Sequence, residues 1–387
     1  MKLNIKVYLI ICLLCGELSS CDNHPKNQLS EDIEIQLGDE ENRRFSDDYY
    51  DFEIIPLETK KECMIGDATK VRVTDVGIYV YDYGNKTIYL FNHDGSFKCK
   101  IGSIGHATSE YVNIYDLSTS INGDTIVLMT NQANLKLYDS NGKYIDSQEL
   151  PTEILGDYDM GWDNVLLTHN GILVSDFHRS HQHILWLLDA KSRVLSKFID
   201  IEDDPNIIKA SPLVTFVPLQ YDNNLVCYYD QLSSHFYILN LNDYNDIKSY
   251  ALKSDNILTE EKARKIDLMS DDYDCVDSYV FADSMIVGGM RYKGYSSEFR
   301  FDLRDNSMKL FSYEDFGAHF VDYHKGYYYK VLHPDFLADI MKVDINDLST
   351  PYYKIDQYNM LHKVLEPYKD KISEKDNIYL LKVKMKK

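Results

Sequence analysis

Lys70-Val71-Arg72-Val73-Thr74, Asp75-Val76-Gly77, Ile78-Tyr79-Val80-Tyr81: a short apolar strand, a tight turn, and a second strand rich in Tyr, Val and Ile. The same unit returns as Val165-Leu166-Leu167, His169-Asn170-Gly171, Ile172-Leu173-Val174. Taking the first apolar residue after each turn as an anchor gives Ile78, Ile126, Ile172, Leu225, Ile286 and Tyr327. The turns ahead of them are built from Asn, Asp, Ser, Lys and Gly, residues suited to the positive φ of two-strand hairpins. A third strand is expected in each unit: Thr87–Phe91, Leu135–Tyr138, Ile184–Leu188, Phe236–Leu239, Glu298–Phe301 and Ile340–Val343. Second turns such as Asn92-His93-Asp94-Gly95 and Asp139-Ser140-Asn141-Gly142 lead to a fourth. A repeat of roughly 50 residues with four antiparallel strands predicts an all-β, six-bladed β-propeller.

Two stretches leave the β pattern and predict short helical insertions. Thr259–Met269 has acids early and bases late, and Gln357–Lys371 spaces Met360, Leu361, Val364, Leu365 and Tyr368 helically. The terminal strand Ile378–Lys384 is expected to pair near Phe52–Leu57, closing the ring and removing an exposed edge. Pro56 suits an outer position there, since it cannot donate to a ladder.

The N-terminus carries an address. Lys2 and Lys6 precede the apolar run Val7–Leu14, which is too short to cross a bilayer as a helix. Leu18-Ser19-Ser20-Cys21 follows and resembles the lipobox of bacterial lipoproteins, which implies lipidation of Cys21. The expected organisation is a signal peptide over 1–20, a solvated tether over 21–48 with one early strand at Ile33–Leu37, and a propeller over 49–387. The expected location is the cell envelope, on the outer membrane, with the periplasmic or surface side left open.

The formal charge is −21, from 62 acids against 41 bases. Such a body repels nucleic acid and anionic lipid, which excludes both as expected partners beyond the N-terminal lipid itself. The 32 Tyr suit half-buried strands and equally suit carbohydrate stacking. Cys63, Cys99, Cys227 and Cys275 remain after the signal and Cys21; none forms a Cys-x-x-Cys pair or zinc spacing, and their redox state is left open.

The chain resembles the six-bladed β-propeller lipoproteins of Bacteroidetes, which are similar to NHL-like and TolB-like propellers. Ile55-Pro56-Leu57-Glu58-Thr59 matches the family's opening signature. In Ile101–Tyr111, Gly105, Glu110 and Tyr111 match a Gly-x-Gly-Pro-Gly-Glu-Tyr loop, while Thr108 and Ser109 replace its Pro-Gly. Asp376-Asn377-Ile378-Tyr379-Leu380 matches an Asp-Asn-Pro-x-Leu closing motif without its Pro. The resemblance implies the fold and export and adds little about activity.

Blade topology assigns two faces. The first-to-second and third-to-fourth turns share one; the second-to-third loops and the blade crossings share the other. The latter carries the longer loops, where binding residues sit on a rigid scaffold. Candidates there are His178, Arg179, His181 and His183 in blade three, Arg291, Tyr292 and Tyr295 in blade five, and Glu110 and Tyr111 in the first crossing. Three imidazoles in six residues could take a metal or contact a glycan, and the bland alternative is a polar loop. Asp82, Asp176 and Asp230 end second strands. They would either ring a calcium ion or cap their own turns, with capping the simpler reading.

No nucleophile elbow, P-loop or zinc-protease motif appears. The expectation is therefore a binding or interaction module for a glycan, peptide or partner protein, with no cofactor expected and calcium the ion to consider. The alternative is a propeller-type hydrolase or lyase with a metal over the central tunnel.

Overall fold

The computed structural model describes residues 32–386 except 42, 131–133, 156–161, 177–182, 201–218, 264–272, 312–318, 345–346, 348–357, 360, 363 and 369–371. Among them the strands form six sheets. Blade one is Ala68–Val73, Ile78–Asp82, Thr87–Phe91 and Phe97–Ile101. Blade two is Ile114–Thr119, Thr125–Thr130, Asn134–Asp139 and Tyr144–Glu149. Blade three is Trp162–Thr168, Gly171–Asp176, His183–Leu188 and Val194–Asp200. Blade four is Gln220–Asp222, Leu225–Asp230, His235–Asn240 and Ile247–Lys253. Blade five is Cys275–Ala282, Met285–Tyr292, Tyr295–Asp302 and Ser307–Phe311. Neighbours within each blade are antiparallel and follow chain order. First strands of successive blades touch one another, so they line the axis of a six-bladed propeller.

The expected turn chemistry is what builds the hairpins. Asp283 and Ser284 adopt φ of 52° and 60°, and Lys325 and Gly326 adopt 50° and 85°. Gly77 leaves no alternative, because a Cβ there would stand 2.2 Å from the Phe91 carbonyl oxygen. Apolar faces of adjacent blades then interlock. Cys227, Tyr229 and Phe236 of blade four pack with Tyr279, Phe299 and Phe301 of blade five, all nearly inaccessible to solvent.

Blade six differs from the expectation in one element. Its strands are Phe320–His324, Tyr327–Leu332, Tyr379–Met385 and, outermost, Tyr49–Pro56 from the other end of the chain. Ile340–Val343, expected as the third strand, instead ends the helix Pro334–Met341 and leaves it. Pro334 occupies the first helical turn after an extended His333, and Leu337, Ala338 and Ile340 are buried on one side. Apolar pairs at Phe336-Leu337 and Ile340-Met341 fit either period locally; the proline decides. The other insertions are helical where described. Glu260–Ala263 follows Thr259, whose Oγ1 accepts from Lys262 N at 3.2 Å. Helical turns after residue 357 bury Leu361 and Leu365 against blade six.

The early strand expected at Ile33–Leu37 forms over Ile33–Gln36, and it and the described residues 37–41 and 43–48, expected as solvated tether, pack onto the propeller body. Ile33–Gln36 adds to blade four as a fifth strand, parallel to Ile247–Lys253, with Ile33 opposite Tyr250 and Gln36 opposite Lys253. Its alternation sinks Ile35 and Leu37 into the apolar layer between blades four and five. Phe45 is fully buried, its ring 4.8 Å from that of Phe311 and 5.5 Å from that of Phe320. Cys63, Cys99, Cys227 and Cys275 are free thiols, all but Cys99 buried.

The ring closes as expected, Phe52 opposite Val383 and Pro56 opposite Tyr379. Asn377 sits beside the closure and is 1% exposed. Its backbone N–H donates to Thr59 Oγ1 at 2.9 Å, and its Nδ2 donates to the carbonyls of Glu58 at 2.7 Å and Cys63 at 2.8 Å. Its Oδ1 accepts from Ile65 N–H at 2.8 Å. Thus the opening and closing motifs of the sequence are one contact. Asn377→Ala strands these buried partners and should lower stability by about 3 kcal/mol, read from denaturant midpoints at unchanged m-value.

Candidate functional site

Lys70 and Arg72 alternate on the innermost strand of blade one. Lys70 Nζ meets Asp116 Oδ1 of blade two at 2.6 Å, and Arg72 meets Asp322 Oδ1 of blade six at 2.9 Å. The second oxygens of both carboxylates accept backbone N–H groups of a neighbouring innermost strand: Asp116 from Val165 at 2.8 Å, Asp322 from Val73 at 2.5 Å. Arg72 also reaches Gln220 Oε1 of blade four, across the ring, at 3.5 Å. Burial pushes the Lys70 ammonium down and the Asp322 carboxyl up, while each opposite charge pulls the other way. Two cations and two carboxylates thus form a structural crosspiece at the axis, satisfying inner-strand N–H groups that have no further strand to pair with.

The candidate residues distribute unevenly over the loop-rich face. His178, Arg179 and His181 lie outside the described residues. His183, at the start of a strand, holds Asp200 Oδ1 with its Nδ1 at 2.7 Å and stands edge-on to Trp186. Tyr292 is buried and donates to the Gly38 carbonyl at 3.0 Å. Arg291 lies over the Tyr273 ring at 5.2 Å. Tyr295 projects from the hairpin tip, 73% exposed. Tyr111 is core, donating to the Ile101 carbonyl at 3.2 Å, and Glu110 Oε2 accepts Ala107 N–H at 2.9 Å, folding the first crossing onto itself. Of the described members of this set, Arg291, Tyr292 and Tyr295 share one hairpin, while His183, Glu110 and Tyr111 make local contacts.

The three aspartates end the second strands of three different blades. Asp82 is fully buried, and its oxygens accept N–H groups from Gly66 at 2.8 Å, Asp67 at 3.0 Å and Asn85 at 3.1 Å, plus Asn85 Nδ2 at 2.6 Å. That is the donor set of a capped turn. Asp230 accepts from Ser233 Oγ at 2.5 Å in the equivalent turn of blade four. Asp176 ends its strand opposite Trp162. Among the described residues no group of three His, Cys, Asp or Glu is disposed to hold a metal.

What the sequence reading missed is apolar. Met64, Tyr83, Ile104, Val112 and Tyr115 are 42%, 57%, 54%, 36% and 49% exposed. Four lie on loop-rich-side segments of blades one and two: Met64 at the entry to blade one, Tyr83 in its second-to-third loop, and Ile104 and Val112 in the crossing into blade two; Tyr115 follows at the start of strand Ile114–Thr119. Their backbones are held firmly. Asn85 Nδ2 and Tyr89 Oη both donate to the Met64 carbonyl at 3.1 Å, and across the crossing Gly105 N–H donates to Tyr111 O at 2.9 Å and Tyr111 N–H to Ser103 O at 3.1 Å. Rigid loops presenting large apolar side chains to water are a recognition surface in physical terms. Asp82 sustains the Met64–Tyr83 part of that surface. Asp82→Ala should lower stability by about 2 kcal/mol, from lost acceptors for backbone N–H groups. A chelator such as EDTA should leave the wild-type denaturation midpoint unmoved; a fall would reassign the carboxylate to a cation.

Two solved structures share this architecture. A protein described as exported, from Bacteroides fragilis, superposes with a TM-score of 0.69 at 14% identity, covering 93% of this chain and 100% of that one. A member of the duf4221 family from Bacteroides vulgatus superposes with a TM-score of 0.50 at 10% identity, covering 87% and 97%. At those identities the likeness concerns the fold. No curated protein matches the sequence. The family model described as a domain of unknown function, DUF4934, matches residues 31–384, and the chain belongs to that family.

Proposed function

We propose that this protein is an exported, lipid-anchored binding module of the cell envelope. In this reading its loop-rich face engages a peptide or partner protein over blades one and two. The observation that carries the reading is the set of exposed apolar side chains Met64, Tyr83, Ile104 and Val112 on firmly bonded loops of one face, with Tyr115 at the start of the strand that follows them. The crosspiece at the axis supports it as well, since charges already engaged with each other leave the faces to do the binding.

Anchoring follows from Cys21 in its lipobox-like setting, and the outer membrane is the location we favour. No helix of the described residues is long and apolar enough to cross a membrane. The stretch between Cys21 and Ile33 can span at most about 40 Å. Because Ile33 begins the outermost strand of blade four, the anchor ties down a side of the disc and leaves both faces open to the envelope.

Two measurements test this. Cys21→Ser should move the protein from the membrane fraction to the soluble fraction; persistence in membranes would remove the lipid anchor. Photo-crosslinking residues placed at positions 83, 104 and 115 should give higher-mass adducts in cells, while position 145, exposed on an outer strand, should not. Equal adducts everywhere, or none, would remove the face from the reading.

A further inference from the structure

A second surface lies on the opposite face, at the seam between blades five and six. There the turns after Ala282 and Asp302 in blade five meet the turn after His324 in blade six. Beside them the outer two strands of blade six begin and end without a connecting hairpin, because one is N-terminal and the other C-terminal. In place of a third-to-fourth turn, Lys386 N–H donates to Asp48 O at 2.9 Å, and the space beside that contact is open. It forms a cleft of about 250 Å³ lined by Tyr50, Asp283, Met285, Arg304, Tyr323, Gly326, Tyr328, Lys384 and Met385.

Tyr328 lines this cleft at 4% exposure, and its buried hydroxyl has no hydrogen-bond partner among the described residues. A buried phenol without a partner is costly and asks for an acceptor. Burial also raises its pKa well above an ordinary phenol, so it stays a donor. Its ring packs at 4.8 Å against that of Tyr323, whose hydroxyl donates to Asp283 Oδ2 at 3.1 Å. At the rim Tyr50 is 58% exposed.

The charges at the cleft balance. Arg304 is held by its neighbour Asp302, with Nε 2.8 Å from Oδ1, so that its charge is already matched. Lys384 lies over the Tyr327 ring at 4.6 Å, and Asp283 supplies a carboxylate. Two cations face two carboxylates, which favours neither an anion nor a cation. What remains is an exposed aromatic ring beside mixed donors and acceptors, in a volume below the roughly 300–1,000 Å³ of drug-sized sites. That combination suits one sugar ring: its apolar C–H face against an aromatic and its hydroxyls on Asp, Arg, Lys and Tyr groups.

We propose that the seam cleft binds a single neutral sugar residue, such as the terminal unit of an envelope glycan, with Tyr50 as the stacking ring and Tyr328 Oη as a buried donor. This site stands apart from the loop-face reading and does not depend on it.

Saturation-transfer NMR on the full mature chain with glucose, galactose, mannose and N-acetylglucosamine tests it. At least one should bind, with a dissociation constant on the order of millimolar. Tyr50→Ala should weaken that sugar at least about tenfold and Tyr328→Phe about fivefold. Both variants should melt close to wild type, since Tyr50 is exposed and Phe preserves the ring. The loop-face variant Tyr83→Ala/Ile104→Ser/Tyr115→Ala should bind sugar unchanged. No binding by wild type, or binding that both cleft substitutions leave intact, overturns the proposal. Sugar binding lost only in the loop-face variant also overturns it, while preserving the other reading.

Discussion

Everything in this propeller depends on a joint with no covalent bond across it. Blade six takes two strands from before the closing motif, one from the C-terminus and its outermost from the N-terminus. The seal therefore rests on the ladder between Tyr49–Pro56 and Tyr379–Met385, and on Asn377. Asn377, just ahead of the second of these strands, ties it to the segment after the first through the backbone groups of Glu58, Cys63 and Ile65. The same segment continues the joint to blade one: Leu57 N–H donates to Ile378 O, Glu58 N–H to Gly95 O, and Phe97 N–H to Glu58 Oε2. An open ring would expose two sheet edges and the apolar faces of blades one and six, so closure and core formation are one event.

A second constraint follows from the circular arrangement. Each innermost strand has one edge with no strand beside it, and its N–H groups still need acceptors. Side chains of neighbouring innermost strands supply them, as Asp116 does for Val165, Ser118 for Leu167 and Asp322 for Val73. Carboxylates so deep in the protein then require Lys70 and Arg72, which explains why an otherwise apolar strand opens the sequence repeat with two bases. Lys70, Arg72, Asp116 and Asp322 are thus part of the frame.

Much of this was legible. Turn residues with positive φ marked five complete hairpin units and the sixth's first pair, because backbone conformation is a local property that Asn, Asp and Gly announce. Pro56 announced an outer strand for the same reason, and it lies on one. Two things were not legible locally. Ile340–Val343 carries the apolar content of a third strand, and only Pro334 and the distant Tyr379–Met385 strand reveal that the position is already filled. Phe45 sits in a stretch whose composition reads as tether, since one buried residue does not change the average of an acidic segment. The recognition surfaces were less legible still. Exposure of Tyr83 or Ile104 is fixed by which loops surround them, and Tyr50 meets Tyr328 only through ring closure.

The two surfaces nonetheless have a common origin in how a propeller can be irregular. Tight turns on one face are short because they join adjacent strands, and they leave little room for a ligand. The crossings must travel from an outer strand to the next inner one, so they alone can lengthen and display side chains such as Ile104 and Val112. The turn face gains a comparable freedom at one place, the seam, where chain ends replace a hairpin and Tyr50 faces Asp283 and Arg304 of the neighbouring blade. A repeat repeated without fault offers water six equivalent grooves. Chemistry that distinguishes one ligand from another then collects where the repeat is stretched or cut, and in this chain those are the first crossing and the closing seam.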